Sequence, residues 1–444
     1  MHCRGGISGL TAAYRLRALV GDDVTITVFD PADRLGGVLR TERVGGQPVD
    51  VGAEAFVVRR PEVPALLAEL GLSDRHLGTT GARPLIYSQG RLHPLPSGTI
   101  AGIPSSAAAM AGLVDEATVA RIAAEPGRPL DWRAGDDPVT AALVADRFGP
   151  QVVARSVDPL LGGVYAGSAA TIGVRSAAPG LAMALDGGAA SLTDAVRAAL
   201  PAVTDGPVFG AVDGGYAVLV DELIRRSGLS WERVGSSGSS RRPGWTLCDG
   251  AGGQWRADGV ILAVPARGWP ASSPRLPAQR GGRQANRLCI VGGGGAGGAA
   301  RYRVSRAVRR AGGQRGSVAR QGDYVVVAQV GRRSGLELVR LSFGRFDDDV
   351  GCRATDDELL AWAVGDLATV FGVTVEPVDV RVRRWVDAMP QYGPGHADIV
   401  AEIRAGLPPA LAVAGNYLDG IGVPACIAAA RRAVSELLGA GVAR

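Results

Sequence analysis

Near its start the chain reads Gly5-Gly6-Ile7-Ser8-Gly9 followed by LTAAYRLRAL, a glycine turn that runs into an amphipathic helix. The segment VTITVFDPA from Val24 then reads as a strand that ends at an acid, Asp30, 21 residues after Gly9. Each of these residue types has a job in holding a dinucleotide. Glycines let the backbone approach a pyrophosphate at the positive end of a helix, and an acid about twenty residues further on accepts hydrogen bonds from a ribose. A glycine turn before a helix is common, so Gly5, Gly6 and Gly9 are weak evidence alone. The segments that follow strengthen it: Arg34-Leu35-Gly36-Gly37 directly after the acid, then DVGAEAF from Asp50 to Phe56.

The elements that must position these residues are those of a βαβ unit whose first strand is missing. Only Met1 to Arg4 stand where an apolar strand and a first glycine belong. Pro84 to Leu200 alternates loop and helix without a second fingerprint and reads as an insertion. GGYAVLVDELIRR from Gly214 and the apolar strand ADGVILAVPA from Ala257 signal a return to the first domain, and LAVAGNYLDGIGVPACIAAARRAV is again strand, glycine turn and helix.

Composition narrows the field. A chain of 444 residues is too long for one core, and 46% apolar content can fill two or three. There is no apolar run of membrane-spanning length and no secretory signal, so the expected location is the cytoplasm. Five scattered cysteines and four histidines show no metal-ligand spacing, and no metal is expected. All 48 basic residues are arginine, which together with 65 glycines reads as a GC-rich codon bias. Acids and bases are interspersed through most of the chain, so the net charge of +5 does not point to nucleic acid.

Four stretches carry a resemblance: PLIYSQGRLHPLPSG (84–98), DPLLGGVYAG (158–167), RRWVDAMPQYGPGH (383–396) and GNYLDGIGVPACI (415–427). With the glycine turn they make the chain similar to the FAD-dependent protoporphyrinogen and coproporphyrinogen oxidases of haem biosynthesis, relatives of amine oxidases and phytoene desaturases. The resemblance implies an α/β fold of the two-dinucleotide-binding type, Rossmann-like, with an interleaved substrate domain and a helical insertion. The parts expected are residues 1–83, 201–266 and 383–444 for FAD, 84–200 for the substrate and helical domain, and 267–382 for a substrate-binding sheet.

By the same resemblance Gly5, Gly6 and Gly9 would meet the pyrophosphate, Asp30 the adenosine ribose, and Arg34, Gly36 and Gly37 the middle of the cofactor. Gly52, Ala53, Glu54 and Ala55 would pass near the flavin, and Trp385 with Ile421, Gly422 and Val423 would close over it. Arg59, Arg60 and Arg91 are candidates for the substrate's propionates, and Tyr392 and His396 for its cavity; the plain alternatives are core packing for Trp385, a surface loop for Tyr392 and His396, and an ordinary surface arginine for the other three. His93 beside Pro94 reads as structural. No catalytic side chain is assigned, because a porphyrinogen's activated methylene bridges need only a flavin N5 to take hydride and a dry cavity to hold them.

Oxygen would reoxidise the flavin, and the next enzyme of the haem pathway would make transient contact. The GC-biased composition goes, by resemblance, with members that take coproporphyrinogen III, with protoporphyrinogen IX left open. Oxidation of an amine or a carotenoid precursor is the rival activity.

From Gly259 to Gly322 there is no acid. This run holds LCIVGGGGAGGA from Leu288, which looks like another nucleotide turn. Written in plausible codons and read one base later, it becomes CASSVAVALAVP, an alternating apolar strand. The same offset turns QGDYVVVAQVG from Gln321 into KAITLSSRKWG, and the opening four residues into Cys-Ile-Val-Gly. We read residues 1–4 and roughly 267–331 as translated out of frame. Codons incompatible with these strings would refute that reading. The non-enzyme rival follows from it: a chain so damaged that it no longer holds FAD.

Overall fold

The computed structural model describes residues 5–79, 84–201, 206–234, 236–241, 244–249, 251–265, 286–293, 306–308, 324–328, 332–333, 336–346, 348 and 350–439. Residues 1–4 and most of 267–331, where the frame change is placed, lie outside them.

Helix α1 (Ile7–Val20) opens at Gly6 and stops at Gly21, whose φ of +80° suits a residue without a Cβ. Apolar residues fall on several of its faces, and Ile7, Leu10, Ala12, Ala13 and Leu16 are all buried, as a helix at the centre of a core requires. It packs between the Tyr216–Ser227 helix and the Val423–Gly439 helix. Strand β1 (Thr27–Phe29) contributes to the same core and pairs in parallel with Ser230–Glu232. Another parallel pair joins Val260–Leu262 to Leu411–Val413. Both strands are shorter than the apolar runs of the sequence suggest. The first hydrophobic core therefore gathers side chains from three separate parts of the chain, among them Leu10, Val28, Leu223, Ile261, Ala412 and Ile427.

β2 (Thr41–Val44) and β3 (Gln47–Asp50) form a hairpin over Gly45-Gly46, whose φ values of +55° and +75° give the two left-handed residues of a tight turn. The hairpin delivers Asp50 to the site. Beyond it stands a four-stranded antiparallel sheet in the order 332–333, 336–343, 286–293, 377–384. The stretch from Pro84, expected as loop and helix, begins instead with a hairpin, Leu85–Ser88 against Arg91–Pro94. Gln89 and Gly90 at φ +50° and +76° make its turn, and strand 324–328 extends it. The helices that follow bury Phe148, Val152, Leu181 and Leu192 in a second core. A third lies under the Asp356–Phe371 helix and holds Leu341, Phe343, Leu359 and Leu367.

Candidate cofactor site

At the start of α1 the backbone N–H groups of Ile7, Ser8 and Gly9 point out of the first turn, and no side chain caps them. Leu10 already donates to Gly6 O at 3.0 Å. A Cβ built on Gly6 would meet no atom within 4 Å, so the space above the helix end is open. Gly36 and Gly37 lie against this turn. Gly36 N donates to Gly5 O at 2.5 Å, and a Cβ on Gly37 would come within 3.1 Å of Gly6 Cα. Glycine is needed there for backbone approach as well as for its φ of +57°.

Asp30 is buried where β1 ends. Its Oδ2 accepts from Gly5 N at 2.6 Å and its Oδ1 from Ala32 N at 2.9 Å. Each oxygen keeps a lone pair for a further donor. Arg34 turns back on its own loop, donating to the carbonyls of Leu35, Gly37 and Leu39. Burial, and then Arg40 nearby, hold its pKa below the ordinary arginine value. Its visible work is to fix the glycine loop against α1.

The Gly52–Ala55 segment is fixed by residues far from it in sequence. Ala53 N donates to Val38 O at 2.9 Å, and Trp385 Nε1 donates to Val51 O at 3.0 Å. Arg340, on the 336–343 strand, is buried and donates to Asp50 O at 3.2 Å, to Gly52 O at 2.7 Å and to the Glu54 carboxylate. Asp50 caps the Tyr216–Ser227 helix: its carboxylate accepts from Tyr216 N at 3.0 Å and from Thr41 Oγ1 at 2.6 Å. Burial nevertheless raises its pKa from 3.8 to about 6, with Glu54 pushing the same way and Arg340 opposing it.

Ile421, Gly422 and Val423 lead into the last helix, which Cys426 N opens by donating to Gly422 O at 3.1 Å. Cys426 is buried, which pushes its thiol up to about 11, and it bonds the Ser8 hydroxyl, so the starts of α1 and the last helix touch. A glycine-lined, uncapped helix end with an acid at the neighbouring strand tip is what a dinucleotide's pyrophosphate and ribose require.

Residues 7–438 match the model of the family described as flavin containing amine oxidoreductase. The chain belongs to that family. It is 63% identical to the coproporphyrinogen III oxidase of Mycobacterium tuberculosis (strain ATCC 25618 / H37Rv), over 99% of this chain and 98% of that protein. With the coproporphyrinogen III oxidase of Bacillus subtilis (strain 168) it shares 25%, over 98% and 96%. Among solved structures it is similar to a candidate protoporphyrinogen oxidase from Exiguobacterium sp. 255-15 (23% identity, TM-score 0.78, 98% of both chains). Cyclohexylamine oxidase from Brevibacterium oxydans IH-35A has the same fold at 16% identity (TM-score 0.64, 100% and 98%). The fold is thus the mixed α/β fold of flavin amine oxidases.

The candidate substrate residues fall in different settings. Arg59 and Arg91 are exposed; Arg60, also exposed, pairs with Glu62 at 2.6 Å. Tyr392 is buried, donates its hydroxyl to Asn416 O and stacks on His396 with ring centroids 4.0 Å apart. His396 is buried too, with Nε2 2.8 Å from Leu418 O; desolvation lowers its pKa. His93 lies on the edge hairpin. No helix among the described residues is long and apolar enough to cross a membrane. Asp50 heads the DVGAEAF stretch and Arg340 lies within the part expected as a sheet, and neither carries a role from sequence alone. Their signal was a charged residue inside an otherwise apolar run.

Proposed function

We propose that this chain oxidises coproporphyrinogen III to coproporphyrin III in haem biosynthesis, with FAD as cofactor and oxygen as final acceptor. The reaction removes six hydrogens, as three two-electron steps, and reduces three O2 to three H2O2. The observation that carries this reading is the 63% identity with a coproporphyrinogen III oxidase along essentially all of both chains. The uncapped, open start of α1 supports the cofactor.

The fold class we propose is the two-dinucleotide-binding type, with residues 1–83, 201–266 and 383–444 around FAD and the remainder serving the substrate. When bound, FAD supplies the two-electron acceptor for hydride from a methylene bridge. The N–H groups of Ile7, Ser8 and Gly9 would hold the pyrophosphate, and Asp30 the ribose. Gly36, Gly37 and the Arg34-clamped loop would border the middle of the cofactor, and Gly52 to Ala55 would face the flavin with Trp385 behind them. Val423 and its helix would close the site from the other side. Arg59 and Arg91, both exposed, would turn toward propionates, while Tyr392 would support the wall from behind.

The test is the visible spectrum of the purified chain before and after anaerobic addition of coproporphyrinogen III. The expected result is an oxidised-flavin band that bleaches as porphyrin fluorescence rises. Protoporphyrinogen IX, run in parallel, is expected to turn over more slowly. A colourless protein that yields no FAD on denaturation or reconstitution would overturn the proposal and favour the frame-damaged, inactive alternative.

A further inference from the structure

Arg340 stands out among the groups that no assigned role absorbs. Its side chain is 5% exposed and leaves a strand of the antiparallel sheet to end in another part of the fold. One guanidinium reaches three acceptors on a five-residue stretch: the Asp50 and Gly52 carbonyls and the Glu54 carboxylate, itself a quarter exposed. Only a planar fork with several fixed donors can do this; a lysine ammonium has the charge but not the reach to hold two carbonyls and a carboxylate together. The same stretch is pinned from other sides, at Val51 O by Trp385 and at the Asp50 carboxylate by Thr41 and Tyr216 N. The Glu54 carboxylate pairs with this cation and the Asp50 carboxylate lies within its field. The guanidinium is buried, so its field is only weakly screened.

We propose that Arg340 is a positioning residue of the flavin site: it fixes the Gly52–Glu54 turn and, by neutralising Glu54, sets the reduction potential of the bound flavin. This rests on the reading that FAD binds along Gly52 to Ala55. The physical expectation is one of sign. An unpaired carboxylate beside a flavin disfavours the added negative charge of reduction and so lowers the potential, whereas pairing it restores the potential. A residue that only supports the fold would change stability without this dependence on charge.

The experiment compares the full chain with Arg340→Met, Arg340→Lys and the double variant Arg340→Met/Glu54→Gln. FAD affinity is read by quenching of flavin fluorescence, and the midpoint potential by equilibration with a reference dye. Arg340→Met is expected to weaken FAD binding at least tenfold and to lower the potential. Arg340→Lys should keep most of the potential but little of the affinity. The double variant should return the potential toward wild type while binding stays weak, because the carbonyl clamp is still missing. Should Arg340→Met not fold, the other two variants decide the matter, since they separate charge from clamp. A wild-type chain that binds FAD while all variants match it in affinity and potential overturns this inference and leaves the function standing. A wild-type chain that binds no FAD overturns both.

Discussion

The two ends of the candidate cofactor strip are built in different ways. The α1 end is made of main chain: three uncapped N–H groups, glycines at 5, 6, 36 and 37, and one acid whose oxygens hold backbone N–H groups. The Gly52–Ala55 end is made of side chains brought in from elsewhere: Arg340 from a sheet strand, Trp385 from after another, and Asp50 joined to a helix 166 residues away. The first end tolerates chemistry only where there is no Cβ. The second depends on charges that partner one another. Substitutions should therefore fail differently at the two ends, by geometry at one and by charge at the other.

The largest effect should come where the two constraints meet. A Cβ on Gly52 would lie 1.7 Å from Val38 O and 3.2 Å from the Trp385 ring. The contact at Val38 is with backbone, so nothing there can rotate away, and the Ala53 N to Val38 O bond must break. Gly52→Ala is expected to cost about 4 kcal/mol or more of folding stability, in the range reserved for core overpacking and lost buried hydrogen bonds. Denaturant unfolding measures it. A loss below about 1 kcal/mol would show that the turn is not held as described.

Charge at the second end gives a pH dependence. Asp50 has a folded-state pKa near 6 against 3.8 when exposed, so between these values the folded chain binds more protons than the unfolded one. The stability it contributes is fully present below pH 3.8 and is lost as pH rises through 6. The loss is about 3 kcal/mol at most, the free-energy equivalent of the shift. Asp50→Asn removes the titration while leaving an acceptor for the Tyr216 N–H. The wild type should therefore lose stability relative to Asp50→Asn on going from pH 4 to pH 7, and parallel curves would show that burial does not hold the proton.

The same contrast explains what could be read from sequence. That Gly5, Gly6, Asp30 and Gly37 would meet at the start of α1 was legible because main-chain contacts of this kind leave their mark as local spacing, within a few tens of residues. The hairpin at Leu85–Pro94 was missed as strand because its alternation is short, and its partner, strand 324–328, lies far along the chain in the part expected as a separate sheet. Arg340 and Asp50 could not be assigned because their partners are set by the fold: Arg340 lies 288 residues from Gly52, and no local pattern marks that pair. Tyr392 and His396 were read with a surface loop in view, yet their rings stack in the interior. A polar tip with a buried carbonyl to bond makes such burial affordable.

The smallest effect expected separates cofactor binding from folding at the first end. Gly6 has extended backbone, φ −77° and ψ 177°, which alanine adopts without strain, and its Cβ would point into open space. Nothing in the protein resists a methyl there; only a group seated on the helix end would. Gly6→Ala should thus leave unfolding of the FAD-free chain within about 0.5 kcal/mol of wild type. It should still weaken FAD binding about tenfold, or about 1.4 kcal/mol, since the pyrophosphate can no longer approach the N–H groups of α1. Gly52→Ala, by contrast, loses both together. If Gly6→Ala binds FAD as well as wild type does, the open space above α1 is not where the pyrophosphate lies, and the contrast between a main-chain end and a side-chain end fails at its first member.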